Sequence, residues 1–406
     1  MHPDLANREI ILGVTGSIAA YKACEIASRL TEAGATVRAA LTQSAQEFVG
    51  AVSFEGITGN CVITSMFDPG LNPEIEHIAL AKRASAFLIA PATANIIAKM
   101  AHGLADDWLS TTLLATRAPI VIAPAMNTQM YTHVATQENI ATLKARGCIF
   151  VGPDAGQLAC GDVGAGRLIE TPAILEALVC ALHVDKPLRG KKVLITSGGN
   201  HEPIDPVRFI GNRSSGKMGH ALALEALRLG AEVTVVTGPH RVPLPHGVET
   251  VEVETAHEML EAVEAHFEDC AVFIGAAAVA DYRVERPALD KHKHSDAMLT
   301  LSLVPNPDIA ASVSLRKRPD QITVGFAAET SHITEHAQDK LKRKHLDLIV
   351  ANEVGVAESG FGTDTDRAWL IKANEAVVDL GLLAKTELAQ AVFSALALNG
   401  TGSLKA

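Results

Sequence analysis

Short apolar runs and longer amphipathic stretches alternate along this chain. In the first half, runs at 10–14, 36–41, 86–90, 120–123 and 148–151 predict strands, and stretches near 17–33, 93–102, 128–146 and 171–182 predict helices. Phe87-Leu88-Ile89-Ala90 and Ile120-Val121-Ile122-Ala123 are apolar on both alternating faces, as parallel strands covered by helices on both sides must be. The second half repeats the rhythm, with strands near 192–196, 232–237, 271–275, 322–326 and 347–350 and helices near 215–229, 256–267 and 332–345. Between the halves, His183-Val184-Asp185-Lys186-Pro187-Leu188-Arg189-Gly190 breaks the pattern with charge, proline and glycine. The expected fold is α/β: two doubly wound, mainly parallel-sheet domains of flavodoxin-like or Rossmann-like three-layer type, spanning 1–190 and 191–406.

Each half opens on a similar β-turn-α unit, Ile10-Ile11-Leu12-Gly13-Val14-Thr15-Gly16-Ser17 and Lys192-Val193-Leu194-Ile195-Thr196-Ser197-Gly198-Gly199. An apolar run ending in small hydroxyl and glycine residues exposes backbone N–H groups that can meet a phosphate. Ordinary strand-to-helix turns have the same composition, so a functional reading of either turn depends on the residues downstream of it.

Composition narrows the classes. The chain is 48% hydrophobic and 20% charged, that of a globular protein with two or three domains. A formal net charge of −11 argues against a nucleic-acid binder, so an anionic ligand must be met by local positive charge. Six cysteines (Cys24, Cys61, Cys148, Cys160, Cys180, Cys270) lie far apart with no C-x-x-C pair, which fits reduced thiols better than a disulfide or zinc framework. With neither a signal-like amino terminus nor a membrane-length apolar run, the expected location is the cytoplasm, with no membrane partner.

In the first half, Pro91-Ala92-Thr93-Ala94-Asn95 and Pro124-Ala125-Met126-Asn127 each follow a buried-type strand, at the carboxyl edge where such sheets bind ligands. Helix capping explains Asn95 and Asn127 about as well as ligand binding does. His77 taken alone reads as an ordinary core or surface histidine. The stretch 156–167 sets four glycines around Cys160, a composition suited to a movable flap.

These motifs, with Gly13-Val14-Thr15-Gly16-Ser17-Ile18-Ala19-Ala20-Tyr21-Lys22 and Met130, resemble the homo-oligomeric flavin-containing cysteine decarboxylases, and among them phosphopantothenoylcysteine decarboxylase. The resemblance implies FMN, contacted by Gly16, Ser17, Thr42, Thr93, Asn95 and Ser110, and catalytic roles for His77, Asn127 and Cys160. Tyr131 stands where that family usually carries tryptophan. The chemistry needs such a set: a cysteine carboxylate cannot lose carbon dioxide without an electron sink, which oxidation of the thiol to a thioaldehyde provides. Cys160 would then donate a proton from a water-excluding flap, Asn127 orient the carboxylate and His77 assist proton transfer.

In the second half, Gly211-Asn212-Arg213-Ser214-Ser215-Gly216-Lys217-Met218 nearly matches a P-loop, but Met218 replaces the hydroxyl residue that binds Mg²⁺, so a Walker-type kinase is rejected. Phe273-Ile274-Gly275-Ala276-Ala277-Ala278-Val279-Ala280-Asp281-Tyr282 ends a strand in small residues and an acid. Lys291-His292-Lys293-His294 reads by composition as a solvated loop. Lys340 and Lys344 share a helical face, either a charged exterior or a clamp on a triphosphate.

These segments, with Asn306-Pro307-Asp308-Ile309, Gly325-Phe326-Ala327-Ala328-Glu329-Thr330 and Leu346–Asn352, resemble phosphopantothenate–cysteine ligases of the bacterial, CTP-using type. By position the resemblance puts CTP, with Mg²⁺, on Gly275, Ala276, Ala277, Asp281, Lys291, Pro307, Asp308, Ile309, Ala310, Phe326, Lys340 and Lys344. It gives Asn212 to the acyl intermediate and leaves the metal ligands unassigned. His294 departs from the family's K-x-K-K pattern, and Asn200-His201 from the residues usual before Glu202. The two resemblances together imply a fused coenzyme A enzyme acting on phosphopantothenate, cysteine and phosphopantothenoylcysteine, assembled as a homo-oligomer from trimers and dimers. A non-catalytic flavin-binding regulator is disfavoured by the joint presence of His77, Asn127 and Cys160. A flavin prenyltransferase-like first half is disfavoured by the attached ligase.

Overall fold

The computed structural model describes residues 3–66, 76–159, 161–293, 298–355 and 358–396. Contacts divide the chain into two units, Met1–Val184 and Asp185–Ala406. In the first unit, β1 (Glu9–Val14), β2 (Thr36–Leu41), β3 (Ala86–Ala92), β4 (Ile120–Pro124) and β5 (Ile149–Phe150) form a parallel sheet in the order β2-β1-β3-β4-β5. Alternate residues of one strand feed different cores. Ile10, Leu12, Leu88 and Ala90 pack with the helices Lys22–Glu32 and Thr171–Leu182, whereas Ile11, Phe87 and Ile89 pack with Ala94–His102 and Trp108–Ala115. Burial on both faces, at about 1.5–3 kcal/mol per large aliphatic side chain, explains why these strands are apolar throughout. Chain order reverses between β1 and β3, which opens a crevice at the carboxyl edge of the sheet there.

The glycine-rich run after β5 is an antiparallel hairpin rather than a loop, with β6 (Asp154–Gln157) paired to β7 (Val163–Arg167). Two expected helices are also interrupted. The first begins as a 3-10 turn, Ile18–Tyr21, before Lys22–Glu32. The other breaks at His133, which adopts an extended conformation and whose Nδ1 accepts from the Ala135 N–H at 3.2 Å, giving Thr128–Thr132 and Val134–Ala145.

The second unit is built on an eight-stranded sheet, β12-β11-β8-β13-β16-β17-β18-β19, from β8 (Lys192–Ser197), β11 (Glu232–Thr237), β12 (Glu249–Glu252), β13 (Val272–Gly275), β16 (Ile322–Glu329), β17 (Leu348–Glu353), β18 (Thr365–Lys372) and β19 (Val378–Ala384). The first six run parallel, and β18 and β19 are antiparallel additions at one edge. After β8 the chain does not turn straight into a helix: the pair β9 (His201–Pro203) and β10 (Phe209–Gly211) intervenes before Lys217–Arg228. A further small antiparallel pair joins β14 (Tyr282–Val284) to β15 (Leu303–Pro305).

The β9–β10 insertion is held by buried polar bonds. Asn200 is fully buried; its Nδ2 donates to Glu202 Oε1 and its Oδ1 accepts from the Ala280 N–H at 2.6 Å. Glu202 Oε1 also accepts from Ala256 N–H at 2.8 Å, and the His201 ring stacks on Phe209. The unusual Asn200-His201 pair thus fixes the turn after β8. The helix after β10 reaches the sheet through Gly219, where a Cβ would collide with Ser197. Among the described residues no helix is long and apolar enough to cross a membrane.

Candidate functional site

At the carboxyl edge of the first sheet, Thr15 joins the turns after β1 and β3. Its hydroxyl donates to Pro91 O at 2.7 Å and accepts from the Thr93 N–H at 3.0 Å. Helix starts converge on this edge, and hydroxyls cap them: Ser17 Oγ accepts from Ala19 N–H, Thr42 Oγ1 from Ala45 N–H and Thr93 Oγ1 from Ile96 N–H. A hydroxyl that accepts a capping bond keeps its own proton, so Ser17 and Thr42 cap a helix and can still donate to a ligand oxygen. Ser110 is spent differently. It is buried in a capping box and donates to Asp107 Oδ1 at 2.8 Å. Burial pushes the Asp107 carboxyl up, but bonds from Ser110 and Lys99 outweigh it and hold the group below the usual carboxylate range. Asn95 is exposed in the first turn of Ala94–His102, and Thr93, not Asn95, is the cap.

Asn127 caps Thr128–Thr132, its Oδ1 accepting from Gln129 N–H at 2.8 Å, and its Nδ2 donates to Asp162 Oδ2 at 2.9 Å. Capping and site geometry are therefore served by the same side chain. The hairpin docks here. Met126 N–H donates to Gly166 O at 3.0 Å, and a Cβ on Gly166, whose φ is +146°, would collide with the Met126 carbonyl. Cys160 lies outside the described residues. Its neighbour two positions on is the Asp162 held by Asn127. His77 is half-buried in the first turn of Glu76–Arg83; a crossover helix runs antiparallel to the strand it precedes, so this turn faces the carboxyl edge. No described hydrogen bond joins His77 to Asn127. Burial pushes the Cys24, Cys148 and Cys270 thiols up, Cys270 to about 11, so none of these three is an activated thiolate.

In the second unit a cavity of about 510 Å³ opens beyond the carboxyl ends of β8, β13, β16 and β17. Its lining includes Asn212, Gly275, Ala276, Ala277, Asp281, Pro307, Asp308, Ile309, Ala310, Phe326, Lys340 and Lys344, and that volume suits a nucleotide-sized ligand. Lys291 is exposed and does not line it; His294 lies outside the described residues. Asn212 spans the cavity wall, its Nδ2 donating to Ala278 O and Val279 O, both at 3.1 Å. Lys340 and Lys344 line the cavity, but each is held by a carboxylate: Lys340 by Glu329 at 2.6 Å and Lys344 by Asp308 at 3.0 Å. An incoming polyphosphate would take over cations already positioned, so the shared helical face is a cavity wall and not a solvent face.

Several lining residues were given no role by the sequence. Asn306 Nδ2 donates to Ala280 O at 2.8 Å, shaping the loop after β13. Gly360, Phe361 and Gly362 form part of the rim. This rim is gripped by Lys217, whose Nζ donates to Gly362 O at 2.8 Å and pairs with Asp364 at 2.6 Å, and by Lys385, paired with Asp366 at 2.5 Å. The only sequence signal for it is the compact Ser359-Gly360-Phe361-Gly362 turn.

The flavoprotein family model matches residues 2–183, and the model for the DNA/pantothenate metabolism flavoprotein C-terminal domain matches residues 188–398. The coenzyme A biosynthesis bifunctional protein CoaBC of Vibrio vulnificus (strain YJ016) is 49% identical over 361 residues, 88% of this chain and 90% of that protein. The protein of the same description from Vibrio cholerae is 47% identical over 391 residues, 96% of this chain and 98% of that one. The Escherichia coli (strain K12) protein is 45% identical over 366 residues, 89% of this chain and 90% of its own length. With identity of this order running through both units, the chain belongs to the family of bifunctional coenzyme A biosynthesis proteins, enzymes that join a phosphopantothenoylcysteine decarboxylase to a phosphopantothenate–cysteine ligase.

Proposed function

We propose that the second unit (191–406) carries out a CTP-driven ligation and the first (1–190) an FMN-dependent decarboxylation of its product. The observation that carries the ligase reading is the grouping, in one cavity, of Asn212, Asp281, Asp308, Lys340 and Lys344 with the small residues Gly275, Ala276 and Ala277. A carboxylate does not acylate an amine unaided, because oxide is too poor a leaving group. Attack of the phosphopantothenate carboxylate on the α-phosphorus of CTP forms the acyl-cytidylate and releases pyrophosphate. The cysteine amine then displaces CMP and forms the amide.

Lys340 and Lys344 give their charge to the departing pyrophosphate, and Lys291 joins them from its loop. Small residues at 275–277 let the nucleotide approach the backbone, with Pro307, Ile309, Ala310 and Phe326 completing its pocket. Asn212 aligns the cytidylate for attack. Mg²⁺ enters with the triphosphate, as this ion does when it keeps most of its waters. Asp281 is the exposed cavity carboxylate within the loop after β13.

In the first unit, the backbone at Gly16 and the side chains of Ser17, Thr42, Thr93 and Asn95 hold FMN, and the Ser110 segment borders it with the Ser110 hydroxyl engaged by Asp107. A set of capping hydroxyls at converging helix starts fits its phosphate. When bound, FMN supplies the electron acceptor that lets the substrate carboxylate leave. Asn127, fixed to Asp162, orients that carboxylate, Cys160 delivers a proton and His77 assists its movement. The exposed Ile18, Tyr21, Met130 and Val134 beside this edge support a homo-oligomer in which subunits cover one another, built from trimers and dimers. The wide spacing of the cysteines, with no C-x-x-C pair, fits action in the cytoplasm.

The test is incubation of the purified protein with phosphopantothenate, cysteine and either CTP or ATP, with products identified by mass. A yellow protein that makes phosphopantetheine with CTP and not ATP is expected. A colourless protein, or equal turnover with ATP, refutes the corresponding half.

A further inference from the structure

The lysine loop is tied to the turn after β9, and the tie runs through one carboxylate. The Asp205 side chain is fully buried. Its Oδ1 accepts from the N–H groups of Val207 at 2.8 Å and Arg208 at 2.9 Å, which completes the local turn. Its Oδ2 faces elsewhere: it accepts from Arg208 Nη1 at 3.0 Å and from the His292 N–H, 87 positions along the chain, at 3.2 Å. Arg208 Nη1 reaches the same peptide from the other side, donating to His292 O at 3.3 Å. A second anchor lies at the loop's start, where Ala288 N–H donates to Ile204 O at 2.9 Å. Between the anchors the chain is free of the surface, with Leu289 93% exposed and Lys291 exposed one residue before the grip.

We propose that Asp205 is a positioning residue for the ligase reaction, holding the His292 peptide so that Lys291 is presented to the triphosphate. The inference rests on the assignment of Lys291 to that reaction and adds to it the device that fixes its place. The division of labour between the two oxygens is the reason for the assignment. The turn itself needs only Oδ1, whereas Oδ2 serves the Arg208 side chain and the distant loop. Lys291 does not line the cavity in the structure, so it acts from the loop, and the freedom of that loop decides how often its ammonium is in range.

Asp205→Asn separates the two functions. The amide oxygen can still receive the turn N–H groups, but the amide nitrogen then faces two donors, the His292 N–H and the Arg208 guanidinium, and the loop is released. The expected result is a fall of about tenfold or more in kcat for cytidylate formation, with the KM for CTP changed less than about threefold. Trypsin should cut after Lys291 several-fold faster, and decarboxylation of supplied phosphopantothenoylcysteine should be unchanged. Because Asp205 acts through Lys291, the Asp205→Asn/Lys291→Gln double variant should be no slower than Lys291→Gln alone. Unchanged tryptic cleavage, or losses that multiply in the double variant, would overturn the proposal. If Lys291→Gln itself turns over at the native rate, the role of Lys291 falls, and the cleavage rate still judges whether Asp205 anchors the loop.

Discussion

Lys385 and Asp366 form a buried ion pair beneath the rim of the ligase cavity, and its removal has a calculable cost. The side chains are 9% and 4% exposed, with Nζ 2.5 Å from Asp366 Oδ2. Lys385 Nζ also donates to Gly360 O at 3.3 Å and Thr365 O at 3.4 Å, while Asp366 Oδ1 accepts from Gly360 N–H at 3.0 Å. In Lys385→Met a carboxylate stays buried with one N–H in place of an ammonium. Losing one partner of such a pair costs about 3–5 kcal/mol, because the remaining charge has no compensation. With a urea dependence of about 2–3 kcal/mol per molar for a unit of this size, the midpoint should fall by about 1–2.5 M. The chain carries two tryptophans, Trp108 in the first unit and Trp369 on β18 in the second, so fluorescence in a Trp108→Phe background follows the second unit alone. Asp366→Asn/Lys385→Met removes the orphaned charge and should recover at least half of the shift. A shift under about 0.5 M, or a double variant as weak as the single one, would refute the reasoning. Because the pair secures Gly360 on the cavity rim, the surviving folded protein should also have a raised KM for a ligase substrate while decarboxylating normally.

Gly166→Ala should do the reverse, lowering decarboxylation by about a hundredfold while leaving ligation intact, since the methyl group must displace the Met126 carbonyl on which the hairpin is seated; separate assays of the two half-reactions check this, and equal losses in both would count against it. Acid should weaken both units. Burial raises the Glu9 carboxyl, but bonds from Arg83 and Arg38 outweigh it and leave the group below its ordinary 4.5. Asp205 is likewise held below 3.8, its burial outweighed by the N–H groups of Val207, Arg208 and His292. A lowered native value means that the unfolded chain binds more protons, so the contribution is complete above the ordinary values and is lost as pH falls through the native ones. Urea midpoints should be flat from pH 7 to about 5 and then drop, with the drop in the first unit shallower in Arg83→Met; an unaltered profile in that variant would remove Glu9 from the account.

How legible each element was in the sequence depends on how it is held. β1, β3, β4, β8 and β13 are covered on both faces, and their unbroken apolar runs announced them. Trp108–Ala115 was not read because its apolar residues run round the helix, giving no stripe to detect, and because its start depends on the Asp107–Ser110 capping box. β18, paired to β17 and β19 near one end of the sheet, alternates between buried and partly exposed positions, so its signal is weaker than that of the central strands. β9 and β10 span only three residues each and are fixed by Asn200, Glu202 and a histidine–phenylalanine stack, contacts that no local pattern encodes. The same distinction separates the parts of the sites. Residues proposed to act through backbone position, such as Gly16, two positions past β1, and Gly275, the last residue of β13, could be read from the strand ends. Lys340 and Lys344 were visible as a shared helical face, but only their pairing with Glu329 and Asp308 distinguishes a cavity wall from a solvated surface. Asn127 shows why capping and catalysis were poor alternatives to set against each other. Its oxygen caps the helix while its nitrogen holds Asp162, so the cap is what aims the group, and a replacement that removed either bond would loosen both.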